Sequence, residues 1–162
     1  MIMDKFGILC ALSGAIIAAL LGGMGSAKGV GMAGEAAAGA IAETPALFGR
    51  VLILQLLPGT QGIYGFLIAV ITLTQIGILG GSNDVSLVKG MAYFAACMPM
   101  ALVGYFSAIH QSRVSIAGIG MVIKKPDQFG KAMILPAMVE TYAIFAFLIS
   151  ILAINGVAGL SI

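Results

Sequence analysis

Charged residues are scarce in this chain. Only 9% of its 162 residues are Asp, Glu, Lys or Arg, whereas 60% are hydrophobic. A soluble domain carries about 25% charged residues, so this chain has too few polar groups to cover a surface that faces water. The shortage excludes a soluble protein and predicts an integral membrane protein. A net charge of +2 without any basic cluster gives no sign of a nucleic-acid partner.

Metal-binding side chains of the soft type are scarce as well. The two cysteines, Cys10 and Cys97, both lie inside apolar runs, which predicts reduced packing thiols rather than a disulfide. The single histidine, His110, lies beside Gln111 near the end of an apolar run and is expected to make a polar contact close to the membrane surface. The sequence therefore offers no thiolate or imidazole cluster for a transition metal.

What the chain does contain is a set of long uncharged stretches. Each exceeds the roughly 20 residues that a helix needs to cross a bilayer, and none alternates as a membrane barrel strand would. A signal peptide is the alternative for the first stretch, but its length favours a mature helix. The predicted spans are Phe6–Ala27, Val51–Asn83, Gly90–Ser112 and Ala132–Ile162.

The second half of the chain repeats the first with an offset of 81 positions. Pro45 pairs with Pro126 and Ser26 pairs with Ser107, and the tripeptide 48–50 matches the tripeptide at 129–131. An even number of spans separates the halves, so they are parallel repeats. The sequence predicts an all-α membrane protein with four transmembrane helices, arranged as two tandem hairpins, residues 1–80 and 81–162.

Loop charges predict the orientation. Basic residues gather near the hairpin loops, taken as residues 35–50 and 113–131, and the positive-inside rule places these loops in the cytoplasm. Both termini and the linker at Gly80–Asp84 then face outward from the cell membrane. The residues that carry this prediction are Arg50, Arg113, Lys124, Lys125 and Lys131 at the loops, with Lys5 and Lys89 beside Asp4 and Asp84 on the other side.

The first predicted helix has an unusually wide face of small residues, which lets helix backbones approach closely in lipid. A tight pair within one molecule is one interpretation. Because the face is wide and covers the whole span, a closed ring of identical subunits is the favoured one. The face comprises Gly14, Ala18, Gly22, Gly25, Gly29 and Ala33, with a neighbouring line at Gly23, Ala27 and Gly31.

Glu140 is the only acidic residue of the fourth span. A carboxylate inside the hydrocarbon region costs several kcal/mol unless it is bound by something, so such a residue is by default a functional one. The repeat places Gly59 at the equivalent position of the first half. The sequence therefore predicts one carboxylate site for each duplicated chain.

Oxygen-bearing side chains accompany this acid: Thr60 and Gln61 near Pro58, and Gln111 on the third span. With one charged ligand, an all-oxygen site is neutral when it holds a monovalent cation, which favours Na⁺ or a proton on the carboxyl. Alternatives remain for the neutral groups. Either glutamine could simply bond a neighbouring helix, the threonine could bond its own backbone, and Tyr64 could pack or hold the carboxylate.

Three segments carry a specific resemblance: Leu54–Phe66 (LQLLPGTQGIYGF), Gly25–Met32 (GSAKGVGM) and Ala137–Ala143 (AMVETYA). Together they resemble the proteolipid, or K or c-type, subunit of bacterial V-type ATPases, and within that family the sodium-translocating branch. The resemblance implies a rotor ring. It further implies that Na⁺ is held by the groups at five positions, with Tyr64 supporting the carboxylate. The implied ligands are the Leu57 carbonyl and the side chains of Thr60, Gln61, Gln111 and Glu140.

The same resemblance implies a function without bond chemistry in this subunit. ATP hydrolysis in a soluble head would turn the ring and so carry Na⁺ across the membrane. The implied partners are identical subunits, a stator membrane subunit with an essential arginine, central-stalk subunits and lipid, with no organic cofactor. Three alternatives stay open: the same rotor carrying protons, a small secondary transporter coupled through Glu140, and a structural pore-forming protein.

Overall fold

The structure, a computed structural model, describes residues 2–81 and 85–161, with side chains from Phe6 onward in the first helix. Asp4, Lys5 and Asp84, which were expected to face outward, have side chains outside the described part of the structure. The predicted ends of the second and fourth spans, Asn83 and Ile162, also lie outside the described residues.

Every regular element of the described residues is helical, which confirms the all-α prediction. A 3₁₀ turn at Leu57–Gly59 divides the second span. Three more such turns lie before this span, after it, and between the last two helices; they are Pro45–Leu47, Ile78–Gly80 and Pro126–Gln128. The α-helices are α1 (Ile2–Glu43), α2 (Phe48–Leu56), α3 (Thr60–Gln75), α4 (Leu87–Lys124) and α5 (Phe129–Ala158).

Four helical stretches in the described residues are long and apolar enough to cross a membrane, which confirms the predicted number of spans. They are longer than the apolar runs from which they were predicted. The α1 helix has 42 residues, or about 63 Å at 1.5 Å per residue, roughly twice the thickness of a bilayer core. The stretches are Phe6–Glu43, Pro45–Gln75, Leu87–Lys124 and Pro126–Ala158.

The prediction that residues 35–50 and 113–131 form the hairpin loops is wrong about their length, because the loops in the structure are much shorter. Helix α1 continues to Glu43 and α4 continues to Lys124, which leaves only short turns between the helices of each hairpin. The reason is local: residues 33–42 are largely alanine, the best helix former, and single exposed charges such as Glu35 and Arg113 do not end a helix outside the lipid.

The duplication is visible in the helix boundaries. Helix α1 ends at Glu43 and α4 ends at Lys124, and the helices that follow them, α2 and α5, begin at Phe48 and Phe129. Both pairs of positions differ by the 81 residues of the sequence repeat. The structure therefore contains two tandem hairpins of the same design, as the sequence predicted.

The two long helices α1 and α4 run parallel and touch backbone to backbone. A Cβ atom added to Gly25 would lie 2.8 Å from the Cα of Tyr105, and one added to Gly29 would lie 2.9 Å from the carbonyl oxygen of Ala108. These distances leave no room for a side chain. The other helices return along them, with α3 packed mainly on α1 and α5 mainly on α4.

Two apolar clusters fill this four-helix unit, and a belt of polar groups lies between them. One cluster includes Ile68, Tyr93 and Ile154, and the other, close to the hairpin turns, includes Val51 and Ile119. The side chains buried in or beside the belt include Ser26, Ser107, Gln111, Ser112 and Gln61. Because polar groups are expensive to bury without partners, this belt is the place to look for a site.

Candidate ion-binding site

The site begins at the break between α2 and α3. Pro58 has no backbone N–H, and Gly59 is a poor helix former, so the chain makes one 3₁₀ turn here. The backbone N–H of Thr60 donates to the carbonyl of Leu57, and the Thr60 hydroxyl donates to the same carbonyl at 3.2 Å. The turn therefore sets two oxygen atoms, the Leu57 carbonyl and the Thr60 hydroxyl, side by side.

A proline in the second half, Pro136, behaves differently, although it is not the repeat equivalent of Pro58, whose counterpart is Val139. Helix α5 keeps α-helical geometry through Pro136. Pro136 is followed by Ala137 rather than by glycine, and alanine favours the helix by about 1 kcal/mol over glycine. Of these two prolines, only the one followed by glycine lies in a 3₁₀ turn.

Two side chains from two other helices contact the carboxylate of Glu140. The hydroxyl of Tyr64, on α3, donates to Oε1 at 2.7 Å. The amide Nε2 of Gln111, on α4, donates to Oε2 at 3.2 Å. Hydrogen bonds to a charged acceptor are stronger than neutral ones, so these donors stabilise an ionised carboxylate on α5.

The two glutamines join the second and third spans. The amide Nε2 of Gln61 donates to Oε1 of Gln111, and both side chains are completely buried. The other amide atom of Gln61, Oε1, lies 3.4 Å from the hydroxyl oxygen of Thr60. The structure thus brings Leu57, Thr60, Gln61, Tyr64, Gln111 and Glu140 into one connected set. The contacts also include the helix-to-helix bond that was the alternative interpretation for the glutamines.

Two further residues that contact this set were missed in the sequence. Ser107 accepts a hydrogen bond from Gln61 Nε2 at 3.3 Å and donates to the carbonyl of Val139 at 3.2 Å, so it links α3 and α5 across α4. Its match with Ser26 in the repeat was a signal that could have singled it out. Phe147 stacks on the ring of Tyr64, with centroids 5.1 Å apart, and only the fold reveals that contact.

The atoms that this site offers as metal ligands are oxygens, and only the Glu140 carboxylate among them carries a charge. Such a set suits a hard, singly charged cation or a proton. Within residues 2–81 and 85–161 there is no group of three His, Cys, Asp or Glu side chains that could hold a metal ion. At the equivalent place in the first hairpin, the nearest atom to an added Cβ on Gly59 is Cγ2 of Val30, at 3.4 Å.

A membrane hairpin that is duplicated in one chain, with a single intramembrane carboxylate, is typical of the ion-carrying membrane subunits of rotary ATPases. The sequence model for the C-type subunit of ATP synthase matches residues 13–72 and again residues 94–153. The two matches differ by 81 residues and cover most of the chain. The chain therefore belongs to the family of ATP synthase C-type subunits.

Two relatives show which subunits of such complexes the chain is similar to in sequence. The chain is 46% identical to the V-type sodium ATPase subunit K of Enterococcus hirae over 154 residues, which is 95% of this chain and 96% of that protein. It is 40% identical to the A-type ATP synthase subunit K of Methanocaldococcus jannaschii over 144 residues, 89% of this chain and 61% of that protein. The predicted family and the role of a non-catalytic, multi-pass rotor subunit that assembles with identical subunits are thus confirmed.

Proposed function

We propose that this subunit binds Na⁺ at Glu140 and carries it across the membrane as the rotor turns. The observation that supports this most is the connected set of oxygen-bearing groups around one carboxylate, drawn from three helices. The name of the relative from Enterococcus hirae, a sodium ATPase, supports the same ion. The ligands are the Leu57 carbonyl and the side chains of Thr60, Gln61, Gln111 and Glu140, with Tyr64 holding the carboxylate.

The two contacts of Gln111 define how it would take part in loading. In the structure it turns its amide nitrogen to Glu140 and its oxygen to Gln61. When Na⁺ enters, the carboxamide of Gln111 turns its oxygen to the ion, while the hydroxyl of Tyr64 keeps its bond to Glu140. One cation on one carboxylate gives a net charge of zero, which lets the loaded site face lipid at little cost.

Release needs a competing cation at the stator. An essential arginine of the stator membrane subunit pairs with Glu140 and displaces Na⁺ into an aqueous half-channel. ATP hydrolysis in the soluble head turns the ring through central-stalk subunits. Moving one charge against 100 mV requires about 2.3 kcal/mol, so the work per ion is modest.

The sidedness of the rotor follows from its loop charges. We place the short turns around Thr44–Leu47 and Lys125–Gln128 in the cytoplasm, and both chain ends on the outer face of the cell membrane. The basic residues Arg50, Lys124 and Lys131 then lie on the cytoplasmic side. The boundary between the two hairpins falls between residues 80 and 81 in this proposal.

The experiment that tests the ion is protection of Glu140 from a carbodiimide. Purified rings are treated at fixed pH and ionic strength with increasing NaCl, and choline chloride replaces it in the control. Na⁺ bound to the carboxylate should slow the modification of Glu140 in a saturable way. Modification that depends on pH but not on Na⁺ would mean that the rotor carries protons instead.

The same preparation separates the rotor from the remaining alternatives. A small secondary transporter would migrate as a monomer or dimer, whereas a rotor subunit should give a detergent-stable ring much larger than one chain. A purely structural pore would keep ATP-driven transport after Glu140→Gln. Loss of transport with an intact ring would exclude that function.

A further inference from the structure

Ser107 is a buried hydroxyl beside the proposed site that is not among its ligands. It lies on α4, one helical turn before Gln111, and is 6% exposed. Its Oγ atom accepts a hydrogen bond from Gln61 Nε2 at 3.3 Å and donates its own proton to the carbonyl oxygen of Val139 at 3.2 Å. Val139 directly precedes Glu140 on α5. Ser107 thus joins a proposed ligand on α3 to the backbone of the helix that carries the acid.

The direction of these two hydrogen bonds is fixed by the groups that make them. A main-chain carbonyl can only accept, so the single proton of the Ser107 hydroxyl is committed to Val139. The Ser107 oxygen is then an acceptor, and the group that faces it must be a donor. Of the two ends of the Gln61 carboxamide, only the nitrogen donates. Ser107 therefore selects which end of Gln61 points to α4, and the other end, Oε1, lies 3.4 Å from the hydroxyl oxygen of Thr60.

Gln111 imposes the same orientation on Gln61 only in one of its own two orientations. In the structure the oxygen of the Gln111 amide faces Gln61 and its nitrogen faces Glu140. Loading, in the proposed function, turns this amide over. Its nitrogen would then face Gln61 and favour a matching turn, which would take the Gln61 oxygen away from the ion. Ser107 opposes that turn, because two acceptor oxygens would then meet in a buried place without a proton between them.

The equivalent serine of the first hairpin has a different partner. Ser26 accepts a hydrogen bond from the backbone N–H of Gly62 at 2.7 Å, so it holds the first turn of α3 rather than a side chain. Both serines thus bond the backbone of the returning helix in their own hairpin. Of the two, Ser107 also contacts the side chain of a proposed ligand, Gln61, which a role in helix pairing does not require.

We propose that Ser107 is a positioning residue for the transported ion: it fixes the Gln61 carboxamide so that Oε1 faces Na⁺ in the empty and in the loaded site. It acts through Gln61 rather than by contact with the ion or with the Glu140 carboxylate. The proposal rests on the proposed function, because it assumes Na⁺ at Glu140 with Gln61 as a ligand.

Ser107→Ala tests this role in purified rings of the full-length chain. Titration of carbodiimide protection with NaCl should give an Na⁺ affinity about tenfold lower than that of the wild type, the effect of one lost buried hydrogen bond. The pH dependence of the modification in choline chloride should stay unchanged, because the bonds of Ser107 go to Gln61 and to the Val139 backbone. A shift of this pH profile together with the affinity would show a general distortion of the site and overturn the proposal.

Two further variants control for the loss of a buried serine. Ser107→Thr keeps the hydroxyl and should bind Na⁺ as the wild type does. Ser150→Ala removes another completely buried serine, which accepts from the backbone N–H of Met100 at 3.2 Å, and should leave the Na⁺ affinity unchanged. If intact rings of Ser107→Thr lose as much affinity as those of Ser107→Ala, the hydroxyl is not the cause and the proposal is wrong.

A double variant shows whether Ser107 acts through Gln61. In a Gln61→Leu chain, whose Na⁺ affinity is already lowered, adding Ser107→Ala should cause no further loss, because residues that act as one unit are not additive. Losses that add would mean that Ser107 acts independently of Gln61, against the proposal.

The same titrations separate a wrong role for Ser107 from a wrong ion. Wild-type rings that Na⁺ protects, with an unchanged affinity in Ser107→Ala, would overturn the positioning role alone. Wild-type rings that Na⁺ does not protect would overturn the proposed ion, and the role of Ser107 with it.

Discussion

In the second hairpin, position 140 is a glutamate and position 111 is a glutamine, whereas the first hairpin has Gly59 and Val30 at the equivalent places. The first hairpin instead gives neutral oxygens, from the Leu57–Gly59 turn and from Thr60 and Gln61. The halves share helix boundaries but not chemistry. A charge inside a membrane costs free energy, so one acid for four helices costs less than two, and in the proposed site the acid-free half supplies neutral oxygens beside that acid.

Removing the acid breaks this comparison most completely. Glu140→Gln should abolish Na⁺ binding and ATP-driven Na⁺ transport, because the site loses its only charged ligand. Binding of ²²Na⁺ to purified rings measures the first effect, and uptake into vesicles with the assembled ATPase measures the second. Glu35→Gln, which removes an exposed acid of α1, should change neither.

Moving the acid to the other hairpin tests whether the halves are interchangeable. Adding Gly59→Glu to the Glu140→Gln chain should not restore Na⁺ binding, because position 59 faces Val30 rather than an amide. Recovered binding would show that the surrounding oxygens matter less than the charge.

Gln111→Leu removes the amide that distinguishes the second hairpin at this depth. Loss of a hydrogen-bonding partner of a charged group costs about 1.5–3 kcal/mol, so the affinity for Na⁺ should fall about tenfold to hundredfold. Titration of carbodiimide protection gives the affinity. Gln75→Leu is the control, since Gln75 is an exposed glutamine at the end of α3. An unchanged affinity in Gln111→Leu would remove Gln111 from the ligands.

Gly25→Ala tests the close backbone contact between α1 and α4. The added methyl would lie 2.8 Å from the backbone of Tyr105, so α1 and α4 must separate, at a cost of about 1–3 kcal/mol. The midpoint of thermal unfolding should fall. Gly39→Ala, where nothing lies within 4 Å, should leave the midpoint unchanged or raise it slightly, because alanine favours the helix.

Tyr64→Phe should have the smallest effect. The phenyl ring keeps its place against Phe147, and Glu140 loses one donor while Gln111 remains. A weakening of Na⁺ binding of about tenfold is expected, which is the lower end of the range of about 1.5–3 kcal/mol for one hydrogen bond to a charged group. Tyr105→Phe, outside the site, controls for the loss of a phenol. A loss as large as that of Glu140→Gln would make Tyr64 a direct ligand.

Much of the fold could be predicted from local features. Hydrophobic length gave the four spans, and the 81-residue offset gave the two hairpins. The helix ends could not be placed, because Ala-rich helices continue past the membrane and no charge pattern marks where they stop. The site residues were nominated by their chemistry, but Ser107 and Phe147 were missed, since serine and phenylalanine are common packing residues and only their partners distinguish them.

By itself the sequence determined that the chain spans a membrane, that it is duplicated and that Glu140 is alone among the apolar residues of its span. These properties depend on composition and spacing, which act along the chain. Only the tertiary structure decided which groups meet. Tyr64 and Glu140 are 76 positions apart, and Gln61 and Gln111 are 50 apart. Contacts between such distant residues depend on how closely the helices pack. The glycines of α1 set the distance between α1 and α4 through backbone contacts, and no local sequence pattern predicts which residues those contacts join.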